Sequence, residues 1–136
     1  MSGADGYGGF RPEIREIDAP FWDGVRSGRL PMQSCEGCGA RRFPPSAMCP
    51  RCHSRVYAWV EASGRGTVYS FTVVRRAPTP AYEHLLPYVV AQVELEEGVR
   101  ITSTLADPEG VRVGAPVRVV FETVAPDLTL YRLVLA

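Results

Sequence analysis

Four cysteines in two pairs are the residues of this sequence with the clearest chemistry. Cys35 and Cys38 form one Cys-x-x-Cys pair, Cys49 and Cys52 form the other, and ten residues separate the pairs. Each pair predicts a knuckle, a tight turn whose backbone N–H groups point at two thiolates. Two facing knuckles supply four sulfurs at tetrahedral positions. The sequence therefore predicts a closed structural metal site with these four ligands and no cysteine left over.

Zinc is the metal that this ligand set favours, although iron, as in rubredoxin, fits the same thiolates. A disulfide framework would follow a secretory signal, and residues 1–20 hold Gly, Pro and charges instead of an apolar run. A redox dithiol would need only one pair. Because four thiolates fill a tetrahedral site, we interpret His53, which follows Cys52, as a bystander. Free thiolates indicate a reducing compartment, here the cytoplasm.

The composition is that of an ordinary folded protein. The chain has 136 residues, 46% of them apolar, and a formal net charge of zero. These values disfavour a disordered or membrane-spanning chain. All fifteen basic residues are arginine. Either a genome of high G+C content or selection for bidentate contacts to phosphate and carboxylate explains that bias.

Three parts follow each other along the chain. Residues 1–17 are rich in Gly and then in charges, which predicts a flexible arm. Residues 18–55 contain a short helix and then, at residues 30–55, a zinc ribbon, which is the small unit that carries the four cysteines. The helix is predicted from an Asp18 cap to a Gly28 stop, with Phe21, Trp22 and Val25 on one face. That apolar face must pack on the ribbon, on the following domain or on a partner.

Residues 56–136 predict an all-β domain. Runs of β-branched and aromatic residues bounded by turn signals place six strands at 56–60, 67–74, 88–95, 99–105, 116–124 and 128–135. Short strands with no helix between them favour a small barrel, and the OB-fold is the leading candidate. An SH3-like barrel and a β-sandwich remain open. The fold class is therefore mainly β, with a short N-terminal helix, a zinc ribbon and a barrel.

Positive charge and aromatic residues mark two further segments. Between residues 26 and 55, six arginines face the single acid Glu36. They either attract phosphate or compensate the anionic tetrathiolate site. Phe43 and the two prolines after it predict a rigid turn that covers the metal. Residues 75–87 form a long loop between two strands, and loops of this kind often carry function. Arg75 and Arg76 at its base either hold an anion or act as edge charges.

The sequence contains no recognisable nucleophile–base set, P-loop or dinucleotide fingerprint, so a binding role is favoured over catalysis. A single-stranded nucleic-acid binder is the alternative, because OB barrels and zinc ribbons both bind single strands. The β domain argues against it, since it carries seven arginines and nine acids. We expect Tyr69, Phe71 and Tyr88, which could stack on bases, to belong to the core.

The order of these features resembles a bacterial and archaeal family of OB-fold proteins with an N-terminal rubredoxin-like zinc ribbon. That family is associated with acyl-CoA metabolism. The resemblance covers nearly everything after residue 17. The matching motifs are Phe21-Trp22-Asp23-Gly24, Gly28-Arg29-Leu30, Cys35-Glu36-Gly37-Cys38-Gly39, Phe43-Pro44-Pro45, Cys49-Pro50-Arg51-Cys52, Gly64-Arg65-Gly66-Thr67-Val68 and Pro87-Tyr88-Val89-Val90.

The resemblance implies a non-catalytic accessory subunit. Members of the family partner thiolase-like enzymes, hydroxymethylglutaryl-CoA synthase systems and hot-dog hydratases. One branch supports thiolase-fold aldolases that shorten steroid side chains. For this chain we expect such an acyl-CoA enzyme as partner, acyl-CoA as a further ligand, and neither nucleic acid nor membrane. The expected contacts to the CoA phosphates are Arg41, Arg42, Arg75 and Arg76. The expected contacts to the partner are Phe21, Trp22, Tyr82 and His84.

Overall fold

The computed structural model describes residues 7–136, and β-strands dominate it. A 3-10 turn at Glu16–Asp18 leads into the one α-helix of this part of the chain, α1 (Ala19–Arg26). A second 3-10 helix, Pro80–Leu85, lies in the long loop. The strands are β1 (Pro31–Cys35), β2 (Arg41–Arg42), β3 (Tyr57–Glu61), β4 (Arg65–Val74), β5 (Tyr88–Leu95), β6 (Arg100–Leu105), β7 (Pro116–Ala125) and β8 (Leu128–Leu135).

The start of α1 differs in one detail from the expectation. Asp18 occupies the cap position, but its carboxylate makes no hydrogen bond to α1. It accepts hydrogen bonds from Arg15 Nε at 2.8 Å, Arg15 Nη2 at 2.9 Å and the Arg15 backbone N–H at 3.1 Å. Asp18 therefore closes the 3-10 turn before the helix. The chain leaves the helix at Gly28, as predicted, with a φ of +77°.

The ribbon contains a three-stranded antiparallel sheet in the order β2-β1-β3. β1 and β3 pair from Pro31 opposite Glu61 to Cys35 opposite Tyr57. The strand predicted at 56–60 therefore exists, one residue later. Its assignment to the barrel is wrong, because it completes the ribbon sheet. Sequence alternation predicted a strand there but carried no information about its partner.

The remaining five strands form a closed barrel in the order β4-β5-β6-β8-β7. All neighbours are antiparallel except β6 and β8, which run parallel and meet at Leu105 and Leu133. β4 pairs with β5 over residues 66–74, but with β7 only over residues 65–67. A closed five-stranded barrel with this strand order confirms the predicted OB-fold.

One hydrophobic core joins the helix, the ribbon and the barrel. Phe21 of α1 is 1% exposed, and its ring lies 4.9 Å from the Phe43 ring and 5.7 Å from the Tyr131 ring, measured between centroids. Met32 of β1 belongs to the same buried cluster as the barrel residues. Phe43 thus packs between helix and barrel, and its predicted cover over the metal stays a prediction.

The part of the N-terminal arm that the structure describes lies along the barrel. The Phe10 backbone N–H donates to Tyr82 Oη at 2.7 Å, and the two rings lie 5.3 Å apart. Arg11 Nη1 lies 3.4 Å from Asp127 Oδ1. Residues 1–6, where the flexible arm was also predicted, fall outside the described residues. Within residues 7–136, no helix has the length and apolar character that crossing a membrane requires.

Candidate metal centre and neighbouring surfaces

The four cysteines converge at the tip of the ribbon. The Sγ atoms of Cys35, Cys38, Cys49 and Cys52 all lie within 4.8 Å of one another. Cys35 Sγ is 3.5 Å from Cys52 Sγ, and Cys38 Sγ is 3.7 Å from Cys49 Sγ. Four sulfurs at ~2.3 Å from one ion sit about 3.8 Å apart in a tetrahedron. The cluster therefore has the size of a tetrathiolate metal site.

The two knuckles repeat one backbone pattern. The Gly39 N–H donates to the Cys35 carbonyl at 2.9 Å, and the His53 N–H donates to the Cys49 carbonyl at 2.9 Å. A second N–H in each knuckle points at a sulfur, from Gly37 to Cys35 Sγ at 3.3 Å and from Arg51 to Cys49 Sγ at 3.4 Å. Such bonds stabilise thiolate over thiol, because they place partial positive charge beside the sulfur.

Hydrogen bonds within the cluster favour thiolate at two of the four sulfurs, those of Cys35 and Cys49. The backbone N–H groups of Cys52 and Arg51 lower the pKa of Cys49 to about 6. The Cys38 backbone N–H lowers the pKa of Cys35. At Cys52, the Ser54 backbone N–H lowers the pKa, but the hydrogen bond with Cys35 and burial raise it to about 11. Sulfurs this close cannot all ionise unless a cation lies between them, and a divalent metal supplies that charge.

The four arginines predicted to contact the CoA phosphates differ in their exposure to solvent. Arg42 is 9% exposed, and it donates to Ser46 Oγ at 2.9 Å and to the Ser46 carbonyl at 2.8 Å. Its guanidinium also lies 5.1 Å from the centre of the Tyr57 ring. Arg42 thus holds the ribbon together, and its predicted contact to a CoA phosphate stays a prediction. Arg41, Arg75 and Arg76 are exposed.

The predicted partner contacts are spread over two surfaces. Phe21 is buried in the shared core, which corrects its assignment as a surface contact. Trp22 is half-buried, and its ring lies 6.0 Å from the Tyr131 ring. Tyr82 and His84 lie in the second 3-10 helix, where Tyr82 is half-buried against the arm and His84 is exposed. Helix α1 therefore offers only Trp22 of the predicted pair.

A groove of about 1010 Å³ contains Tyr82 and His84 in its wall. The arm, the second 3-10 helix and the outer face of β7 and β8 enclose it, with Val120, Val124 and Val134 among the apolar lining residues. Its arginine, Arg132, is half-buried and is paired through Nε with Glu122 Oε1 at 3.0 Å. Sequence reasoning missed this groove, because residues far apart in the chain form it.

Two aromatic residues also lie where the sequence did not predict them. Tyr88 is 9% exposed and belongs to the interior, as expected. Tyr69 is 48% exposed and Phe71 is 37% exposed, so the expectation that they are core residues is wrong. Arg100 lies 3.7 Å from the centre of the Tyr69 ring. Both residues belong to the part of β4 that has no strand beside it on the β7 side.

A zinc-ribbon fold with four clustered thiols, joined to an OB barrel, is the class that the fold and the site define. A family model described as "ChsH2, rubredoxin-like zinc ribbon domain" matches residues 22–58. A second, "ChsH2, C-terminal OB-fold domain", matches residues 59–122. The chain therefore belongs to the ChsH2 family of zinc-ribbon OB-fold proteins, also called DUF35, which confirms the resemblance in the sequence.

The names of proteins with similar sequences agree with this family assignment. A DUF35 domain-containing scaffold protein of Methanocaldococcus jannaschii is 41% identical over 68% of this chain and 67% of its own length. A probable enoyl-CoA hydratase alpha subunit of Thermomonospora curvata is 40% identical over 88% of this chain. The match spans only 38% of that subunit's length. A benzoylsuccinyl-CoA thiolase subunit, BbsA, of Geobacter metallireducens is 31% identical over 71% of this chain and 60% of its own length.

A solved structure described as "Ltp2-ChsH2(DUF35) aldolase" contains a chain with the same fold. It superposes on this protein with a TM-score of 0.82 at 38% sequence identity. The match covers 92% of this chain and 98% of that one. A chain of nearly the same extent thus forms part of a two-component aldolase.

Proposed function

We propose that this chain is a non-catalytic accessory subunit of an acyl-CoA enzyme of the thiolase superfamily. The partner is a thiolase, a hydroxymethylglutaryl-CoA synthase or an aldolase that shortens steroid side chains. The observation that carries the proposal is the match to nearly the whole ChsH2(DUF35) chain of the Ltp2-ChsH2 aldolase. The names of the relatives, a scaffold protein and subunits of a hydratase and a thiolase, support it.

The non-catalytic role rests on the chemistry of the described residues. Between residues 7 and 136, the one group of three or more His, Cys, Asp or Glu side chains close enough to share an ion is the cysteine cluster. A tetrathiolate site is closed, since it has no open position for a substrate. In the lining of the groove, Arg132 is paired with the Glu122 carboxylate, which suits binding better than proton transfer.

We propose zinc as the metal, held by Cys35, Cys38, Cys49 and Cys52. When bound, it links the two knuckles and supplies the folding energy that a small ribbon sheet lacks. The chain's own N–H groups at Gly37 and Arg51 hold the sulfurs in place. The same thiolates support a reducing, cytoplasmic setting as part of this proposal.

The ligand and domain predictions remain proposals in revised form. Arg41, Arg75 and Arg76 are the exposed guanidinium groups for the CoA phosphates, since guanidinium binds phosphate bidentately. The apolar groove beside Tyr82 and His84 suits an acyl group or an apolar partner surface.

We place the division between ribbon and barrel after Glu61 instead of residue 55, because β3 pairs within the ribbon sheet. Residues before Asp18 remain the proposed arm.

Co-expression tests the proposed function. The chain is produced together with a thiolase-fold acyl-CoA enzyme of the same organism, and the complex is purified through a tag on one component. We expect a stable complex and an enzyme that is more active or more soluble than the enzyme alone. Full activity of the enzyme alone, with no co-purification, would overturn the proposal. Trp22→Ala weakens the complex if α1 faces the partner, and lowers only the stability of this chain if it does not.

A further inference from the structure

The second half of β4 has an open edge. Pairing between β4 and β7 covers Arg65 to Thr67, and two backbone hydrogen bonds extend it to Val68. These run from the Gly114 N–H to the Val68 carbonyl at 2.8 Å, and from the Val68 N–H to the Ala115 carbonyl at 3.0 Å. Among residues 7–136, nothing pairs with the β7 side of residues 69–74, although β5 pairs with the other side of residues 70–74, after a bulge at Tyr69.

This edge presents hydrogen-bonding groups in a regular row. In a strand, alternate residues direct both their N–H and their C=O to the same side, so about three of these residues face the open side. Such a row is a template for one further strand. The backbone geometry alone thus determines the shape of an occupant, which must be an extended segment.

The side chains of residues 69–74 carry no charge that would prevent such pairing, and the nearest charges are Arg75 after the segment and Arg100 over the Tyr69 ring. Proteins usually protect open edges with charged side chains, Pro, β-bulges or very short strands, and the one bulge here, between Val68 and Ser70, leaves the edge regular from Ser70 to Val74. Residues 69–74 read Tyr-Ser-Phe-Thr-Val-Val and contain neither a charge nor a proline. Tyr69, Ser70, Phe71 and Thr72 are exposed, with Tyr69 and Phe71 as large apolar surfaces. The edge thus combines a free backbone with the aromatic residues that interfaces favour.

Charge decides between a second copy of this chain and a different polypeptide. In an antiparallel pair of copies centred on Phe71 and Thr72, Arg75 of one copy would lie beside Val68 of the other. The surface beside Val68 is also basic. Gly114 is hydrogen-bonded to Val68, and Arg112 Nη1 lies 3.9 Å from the position that a Cβ on Gly114 would occupy. Like charges at both ends disfavour self-pairing. A segment with acidic or neutral ends fits.

We propose that residues 69–74 bind an extended segment of the partner enzyme, which adds a strand to this sheet by β-augmentation. The segment is uncharged at its centre and carries no basic residue at its ends. This inference rests on the proposed function, because the segment belongs to the acyl-CoA enzyme. It specifies which residues of this chain make the contact and that the bound partner segment is extended.

Two threonines on the same strand make a matched test. Thr72 and Thr67 are both exposed, but Thr72 lies on the open edge, whereas Thr67 pairs with Pro116 of β7 on that side. Thr72→Lys places a charge on the edge and should weaken the co-purified complex at least about tenfold. Thr67→Lys should leave the affinity within about twofold. Equal affinities for the two variants would overturn the inference.

Hydrogen exchange on the unaltered complex gives a second measurement that needs no variant. Amides in residues 69–74 should exchange more slowly in the complex than in the free chain. Unchanged exchange there overturns the inference and leaves the proposed function standing. A wild-type chain that does not co-purify overturns both. If these amides are already protected in the free chain, and the free chain forms a concentration-dependent dimer, the edge binds a second copy of this chain. That result overturns the proposal that a partner segment binds there.

Discussion

Gly39 and His53 occupy equivalent positions in the two knuckles. Each follows the second cysteine of its pair and donates its backbone N–H to the carbonyl of the first. Each also has a positive φ, +76° at Gly39 and +66° at His53. Glycine adopts this left-handed conformation freely, whereas a residue with a Cβ is strained in it. The repeat explains the place of His53 in the backbone without a role as ligand.

This equivalence predicts opposite effects of two substitutions. Gly39→Ala adds a Cβ that meets no atom within 4 Å, so its cost is backbone strain alone, about 1 kcal/mol of unfolding free energy. His53→Gly removes such strain and should leave stability equal or raise it by less than about 1 kcal/mol. Urea unfolding of the metal-loaded protein measures both. A Gly39→Ala variant as stable as the wild type contradicts the prediction.

The metal prediction concerns stoichiometry and local order. The purified protein should contain close to one zinc per chain, and Cys38→Ser should lose it, because three thiolates cannot close a tetrahedral site. Elemental analysis under reducing conditions measures the metal and separates zinc from iron. Amide exchange in the variant should rise first between residues 31 and 61. An intact protein without metal would be incompatible with the site.

Phe21→Ala should be among the most destabilising substitutions in the chain. Phe21 contacts Phe43 of the ribbon and Tyr131 of the barrel, so its loss leaves a cavity between them and costs about 3–5 kcal/mol. Val113, which is 65% exposed, provides a control whose change to Ala should stay within about 0.5 kcal/mol. Thermal unfolding followed in both parts would show one shared transition. Separate transitions for ribbon and barrel would contradict the single core.

Asp18 should contribute stability that depends on pH. The Arg15 side chain, through its hydrogen bonds, holds the pKa of the Asp18 carboxyl below its usual value. This contribution is present above the unfolded pKa of about 3.9, and it is lost as the pH falls through the lower folded pKa. Because the lost hydrogen bonds join two charged groups, Asp18→Asn should cost about 1 kcal/mol at neutral pH.

Urea unfolding of wild type and Asp18→Asn at a series of pH values checks this prediction. The difference between the two proteins removes effects that they share, such as loss of the metal in acid. That difference should shrink as the pH falls below about 3.9, where the unfolded carboxyl gains its proton, and should vanish below the lower pKa of the folded carboxyl. A difference that stays constant down to pH 2 would contradict the proposed role of the ion pair.

Nucleic acid should not bind tightly. The barrel has an acidic balance, and its groove pairs Arg132 with Glu122, so it offers no basic track for a phosphate backbone. Titration with labelled single-stranded oligonucleotides at physiological salt should give contacts weaker than about micromolar. Tight binding that weakens steeply with salt would favour the alternative function.

The sequence alone predicted whatever depends on neighbours in the chain. Cysteine spacing indicated the metal site, because each knuckle is a local turn. Alternation and turn residues placed β5 and β8 at their observed bounds, since a strand with one buried face has a pattern of period two. The motif series also indicated the family, which the family models confirm.

Tertiary structure alone decided which elements meet. The pattern at residues 56–60 predicts a strand, but hydrogen bonds across the ribbon determine that it pairs with β1. Phe21 and Arg42 read as surface contacts from their types, and they are buried because helix, ribbon and barrel share one core. The groove and the open edge of β4 exist only through contacts between distant segments. Local sequence patterns carry no record of such contacts, because the free energy that selects them comes from burial across the whole chain.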